Sequence, residues 1–163
     1  MPFTPFHFGV GMAAKAALPR RFSLVFFVAL QVIIDLESLY NLIKDRYPVH
    51  RFLHTFVGAT LLVIVSSGLV YGGVLWWRAS YARARPAPGL MASLLTTALF
   101  ATRSHVVLDG IMHRDTRPFW PISDENPFLS LVGVGVLHLS CLVLGFFGLI
   151  AVAFEWSSRD RDR

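Results

Sequence analysis

Residues 55–77 form a run of 23 residues without one charged side chain. A helix needs about 20 apolar residues to cross a bilayer. Three more runs are long enough: 22–43, 90–112 and 128–156. The last exceeds the requirement, so it is expected to tilt or to extend into the interface. The chain is therefore predicted to be all-α, an integral membrane bundle of four transmembrane helices in a single domain spanning 1–163.

Composition supports this class. Charged residues are 15% of the chain and hydrophobic residues 55%, whereas an average soluble protein is about 25% charged. The mean hydropathy is +0.57. A net charge of +5 is one mark of nucleic-acid binding. Here the basic residues fall between apolar runs with no aromatic-interleaved basic stripe, so they are assigned to the membrane surface and nucleic-acid binding is excluded. The lone Cys141 lies in an apolar run and is read as a packing residue. Met1 to Phe8 lacks the basic n-region of a cleavable signal peptide, so the mature chain is expected to start at Met1.

Residues 1–21 form a fifth, shorter element. Phe8 to Leu18 is apolar and Pro19 ends it, with Thr4-Pro5 as a plausible helix start. Eleven residues span about half a membrane at 1.5 Å per residue, so this helix is expected to re-enter or to lie at the interface. Nine Lys and Arg residues flank one side (Lys15, Arg20, Arg21, Arg78, Arg83, Arg85, Arg159, Arg161, Arg163). Five flank the other (Lys44, Arg46, Arg51, Arg114, Arg117). The positive-inside rule puts both termini in the cytoplasm, in a multi-pass plasma (inner) membrane protein, with loops 44–54 and 113–127 outside. Trp76, Trp77 and Trp156 then mark the inner interface and Trp120 the outer one.

Ionisable residues inside such helices are costly and point to function. His105, Asp109 and His113 recur at i, i+4 and i+8, one face of a helix. Counting along the helices, Asp35 lies about 21 Å from Arg21 and His105 about 24 Å from Gly89. A re-entrant first helix brings His7 to the same depth. His50 and His54 are four apart and able to face one centre if helical, while His138 falls near mid-membrane and reads first as an interhelical hydrogen-bonding group. Asp35 and Glu37 are about 200° apart on an ideal helix, so only Asp35 is expected to point inward. Glu37 is expected to serve from a second position or to pair with Arg103. Ser123 to Pro127 reads as a turn capping the last span.

Imidazoles and carboxylates together suit a divalent metal, Zn²⁺ first, with Mn²⁺ or Mg²⁺ as alternatives. The expected ligands are His7, Asp35, His54, His105 and Asp109. Glu37 and His50 are candidates for proton transfer, and Arg51 for holding an anion such as phosphate. His113 is the least certain member of its face.

The ordered motifs resemble those of the YdjM family: Thr4-Pro5-Phe6-His7, Ile34-Asp35-Leu36-Glu37, His50-Arg51-x-x-His54-Thr55, Ser104-His105-x-x-x-Asp109 and Trp120-Pro121. These are bacterial inner-membrane proteins described as predicted membrane-bound, metal-dependent hydrolases. Three departures stand out: Ile34 where the family has Pro, Glu37 where it has Asp, and one residue fewer between Arg51 and His54. The resemblance implies a metal-dependent hydrolase. The depth of the polar groups suggests a lipid or lipid-linked substrate, a phosphoester or an amide, cleaved in the outer half of the membrane. The alternative is a non-enzymatic metal-binding or cation- or proton-translocating protein. A third reading is a structural partner with a metal used for folding.

Overall fold

The computed structural model describes residues 6–82 and 86–161. Five helices follow one another: α1 (His7–Ala17), α2 (Leu24–Ile43), α3 (Phe56–Trp77), α4 (Leu90–Met112) and α5 (Val134–Arg161). A 3-10 turn, Phe52–His54, precedes α3, and a wide π turn, Arg78–Ala82, follows it. No strand occurs among the described residues. Four helices are long and apolar enough to cross a membrane, and their outer faces carry exposed Val25, Leu69, Phe147 and Phe154. The protein is a helical membrane bundle. The Thr4-Pro5 helix start and Arg83, Arg85 and Arg163 lie outside the described residues.

Local chemistry sets the helix starts. The Ser23 hydroxyl accepts the Phe26 amide at 3.3 Å and Thr55 accepts the Gly58 amide at 2.9 Å, satisfying amides that have no helical partner. The Ser23 amide also donates to Thr97 Oγ1 at 2.9 Å, tying the base of α2 to α4. Lys15 donates to the carbonyls of Pro19 and Phe22 at 2.6 and 3.0 Å, locking the turn between α1 and α2. Phe27, Leu30, Ala98 and Ala101 fill the centre with no exposure.

α1 is held by close backbone approach, the mode that replaces hydrophobic drive within lipid. It packs on α5, α2 and α4. A Cβ on Gly9 would strike the Cys141 carbonyl, and one on Gly148 would sit 2.6 Å from the Met12 carbonyl carbon. This seam fixes His7, the first residue of α1.

The last span differs from expectation. α5 begins at Val134, not Phe128. Asn126 does not cap its start. Its side-chain amide donates to the carbonyls of Gly110 and His113 at 2.8 and 3.2 Å, while the Ser130 amide donates to Ile111 at 3.1 Å. Residues 126–133 thus close the end of α4, and Ser130 takes a left-handed φ of 59°. At the other boundaries the differences are small: α1 covers 7–17 rather than 8–18, and α2 and α3 start at Leu24 and Phe56.

The seam yields a prediction. Gly9→Val should cost about 1–3 kcal/mol by overpacking, read as a lower unfolding midpoint in detergent. Gly72→Val, which meets open space, should leave it within error.

Candidate metal centre

α2 carries a buried polar stripe along one face: Gln31, Asp35, Ser38 and Asn41, none more than 5% exposed. It faces the end of α4, where His105 and Asp109 lie one turn apart. The 3-10 turn lays His54 over this pair, and α1 brings His7 in from the other side. His7, His54, His105 and Asp109 are each at most 2% exposed.

Asp109 is the hub. Its Oδ2 lies 3.1 Å from His54 Nε2 and 3.2 Å from His105 Nε2. Its Oδ1 lies 3.4 Å from His7 Nε2 and 4.0 Å from His113 Nε2. Asp35 Oδ1 is 3.4 Å from His105 Nε2. One ligand atom each from Asp35, His54, His105 and Asp109 falls within 4.8 Å of the others, and so does one each from His50, Asp109 and His113.

The rings are oriented from behind. Gln31 donates its amide to the Ala101 carbonyl at 3.3 Å, which turns its Oε1 onto His105 Nδ1. An amide oxygen only accepts, so Nδ1 carries a proton, and in the neutral ring Nε2 is the nitrogen that presents a lone pair. That lone pair faces Asp35 and Asp109. Glu37 accepts the amides of Phe52 and Leu53 at 3.1 and 2.8 Å and stands 3.6 Å from His54 Nδ1. Asp115 accepts the amides of Val49 and His50 at 2.7 and 3.0 Å and the His50 Nδ1 proton at 2.9 Å. A carboxylate or amide behind the imidazoles of His105, His54 and His50 is the arrangement that fixes the tautomer of metal-ligating histidines.

The fit to a metal rests on unpartnered atoms. His7 Nδ1 and Nε2, His105 Nε2 and Asp109 Oδ1 are buried without a hydrogen bond. Imidazole lone pairs aimed at carboxylate oxygens repel unless a proton or a metal cation lies between them. Nearly all buried polar atoms in proteins are satisfied, so this concentration at one point marks a place for a cation. The protein is a membrane bundle whose buried His/Asp group can hold a metal ion.

Several expectations change. Glu37 does not pair with Arg103, which instead donates to the Phe56 carbonyl and Thr60 Oγ1 at 2.8 and 2.5 Å. Glu37 reaches the centre although α2 is unbroken, because the 3-10 turn folds over it. His50 and His54 meet edge to face at 4.8 Å without a continuous helix between them. His138 belongs to neither ligand group and stacks on Phe6 at 4.0 Å between ring centroids. Arg51 sits outside the buried group, donating to the Pro48 and Tyr47 carbonyls at 3.0 and 3.2 Å. There it lines a cleft of about 330 Å³ with His50, Phe52, Arg117 and Trp120. Gln31, Ser38 and Asp115 were not anticipated as parts of the centre. The first two share the Asp35 face at i−4 and i+3, a visible signal. Asp115 gives none, since its partner is 65 residues away.

In the loop between α2 and α3, burial pushes the His50 imidazole below its ordinary value of 6.5, helped by nearby His54. Burial pushes the Asp115 carboxyl up, but hydrogen bonds from the His50 amide and ring hold it below its ordinary value. The folded state therefore binds fewer protons at His50 than the unfolded chain does. The stability this gives is present above pH 6.5 and is lost as pH falls toward the lowered folded value. In metal-free protein, replacing His50 by Gln should make the decline in unfolding midpoint between pH 6.5 and 5 shallower than in wild type. Gln31→Leu strands the His105 Nδ1–H and should lower stability by about 1–3 kcal/mol, measured by thermal unfolding at pH 7.

No protein-family model, curated protein or solved structure matches the chain.

Proposed function

We propose that this protein is a metal-dependent hydrolase of the plasma (inner) membrane, acting on a lipid or lipid-linked phosphoester in the outer half of the bilayer. One observation carries the reading: a buried His/Asp group with unpartnered atoms adjoins, through His50, a cleft lined by Arg51, Phe52, Arg117 and Trp120. The metal ligands would be Asp35, His54, His105 and Asp109, with His7 beside Asp109. Zn²⁺ suits this nitrogen and oxygen set best. Bound there, the metal supplies a Lewis acid and lowers the pKa of water.

The chain's own groups do the rest. Gln31 and Glu37 hold the His105 and His54 rings in place. Arg51 and Arg117 line the cleft, Arg117 in an exposed pair with Asp124, and planar guanidinium groups suit a phosphate. Phe52 and Trp120 offer apolar and interfacial surface to a lipid. The resemblance to the YdjM family points the same way. A phosphoester is preferred to an amide because two arginines border the cleft.

Cation or proton translocation has less support. Toward the opposite face the centre is followed by Phe27, Leu30, Val63, Ala98 and Ala101. No Asp, Glu, Lys or Arg lies in that layer, whereas a translocation path uses chained ionisable groups.

Purified protein should be assayed for phosphate or headgroup release from mixed micelles of anionic phospholipid and of polyprenyl phosphates. Chelation should abolish release and Zn²⁺ should restore it. Asp109→Asn should lower kcat at least 100-fold, whereas Arg51→Ala should raise KM about tenfold with little change in kcat. Metal-loaded protein that hydrolyses neither class would overturn the reading.

A further inference from the structure

We infer that the centre holds two divalent cations bridged by Asp109, a deepening that rests on the metal reading above. The two oxygens of Asp109 divide the surrounding groups. Oδ2 faces His54 and His105, with Asp35 completing that set. Oδ1 faces the other way, toward His7 and His113. His50 joins this second set, its ring stacked on His113 at a centroid distance of 4.2 Å. The two ligand groups share Asp109 and no other residue.

A single cation among the first set leaves the second without a purpose. Asp109 Oδ1 and both nitrogens of His7 stay buried and unpartnered, at 2% and 1% exposure. A carboxylate with one oxygen on each of two cations gives Asp109 Oδ1 and His7 Nε2 a partner, with the cations about 3.5–4 Å apart, the spacing of two-metal hydrolytic sites. His50 is then a ligand rather than a free proton carrier. Asp115 fixes its Nδ1–H outward, which leaves Nε2 as the ligating atom.

Charge gives the same count. Asp35, Asp109, Glu37 and Asp115 carry four negative charges when ionised. Among the described residues no Lys or Arg forms an ion pair with any of them, and Arg117 pairs instead with Asp124. One divalent ion leaves two charges of this half-buried group uncompensated, and a second balances them. The second position also lies nearer the substrate, because His50 belongs to both the second set and the cleft wall.

Metal stoichiometry tests this without reference to activity. Full-length protein in detergent is stripped, reloaded with Mn²⁺, desalted and analysed by elemental mass spectrometry and electron paramagnetic resonance. Wild type should hold two Mn²⁺ per chain with an exchange-coupled spectrum. His50→Ala combined with His113→Ala should hold one and show an isolated six-line signal. His113→Ala alone, which leaves the His50 contacts to Asp115 intact, should weaken the second equivalent at least tenfold and guards against misfolding of the double variant. Wild type with one ion, uncoupled, overturns the second site and leaves the first standing. Wild type with none overturns both. A double variant that keeps two coupled ions overturns the assignment of His50 and His113.

Discussion

The Asp109 carboxylate is the point on which the structure turns. It is nearly inaccessible, and four imidazoles from three different segments approach its two oxygens. No arrangement of apolar residues would require them to converge. Leaving imidazole nitrogens without hydrogen bonds in a buried site costs stability, so the convergence makes sense only if something positive belongs among them. The remaining polar contacts serve that group: Gln31 turns His105, Glu37 sits behind His54, and Asp115 anchors His50. Each orienting group is itself held by backbone, so the rings have little freedom to rearrange.

The scaffold reaches this end by economical means. Small residues let α1 lie against α5 closely enough that His7 enters the centre from a helix too short to cross a membrane. Arg103 is kept out of the centre by the Phe56 carbonyl and Thr60, which also fastens the start of α3 to α4. The 3-10 turn then carries His54 across the top. Phe52 in the same turn donates its amide to Glu37, and its carbonyl lies so near Gly58 that a Cβ there would not fit. The apolar core below is ordinary bundle packing, and it separates the centre from the opposite face.

Much of this was legible from the residues. The four spans followed from hydropathy, and α4 runs from Leu90 to Met112 as expected. The start of α5 did not, because residues 128–133 are as apolar as a helix yet are held on the end of α4 by Asn126 and the Ser130 amide. His105 and Asp109 stood out because i, i+4 spacing survives any error in tertiary structure. His7 came into view only through a depth argument. The inward placement of Asp35 against Glu37 was half of the answer: ideal helical geometry separates the two, but the 3-10 turn approaches from the side on which Glu37 lies. Asp115 was invisible because its role depends on a loop-to-loop contact with no periodicity.

The most direct measurement is X-ray absorption at the zinc edge of Zn²⁺-loaded protein in detergent. A centre built from imidazoles and carboxylates predicts a nitrogen and oxygen shell at about 2.0–2.1 Å with clear imidazole scattering and no sulfur, and a loss of imidazole scattering in His105→Ala. A shell of oxygen alone, unchanged by His105→Ala, would contradict the account, since it would mean the ion sits elsewhere and the buried group is not a metal centre.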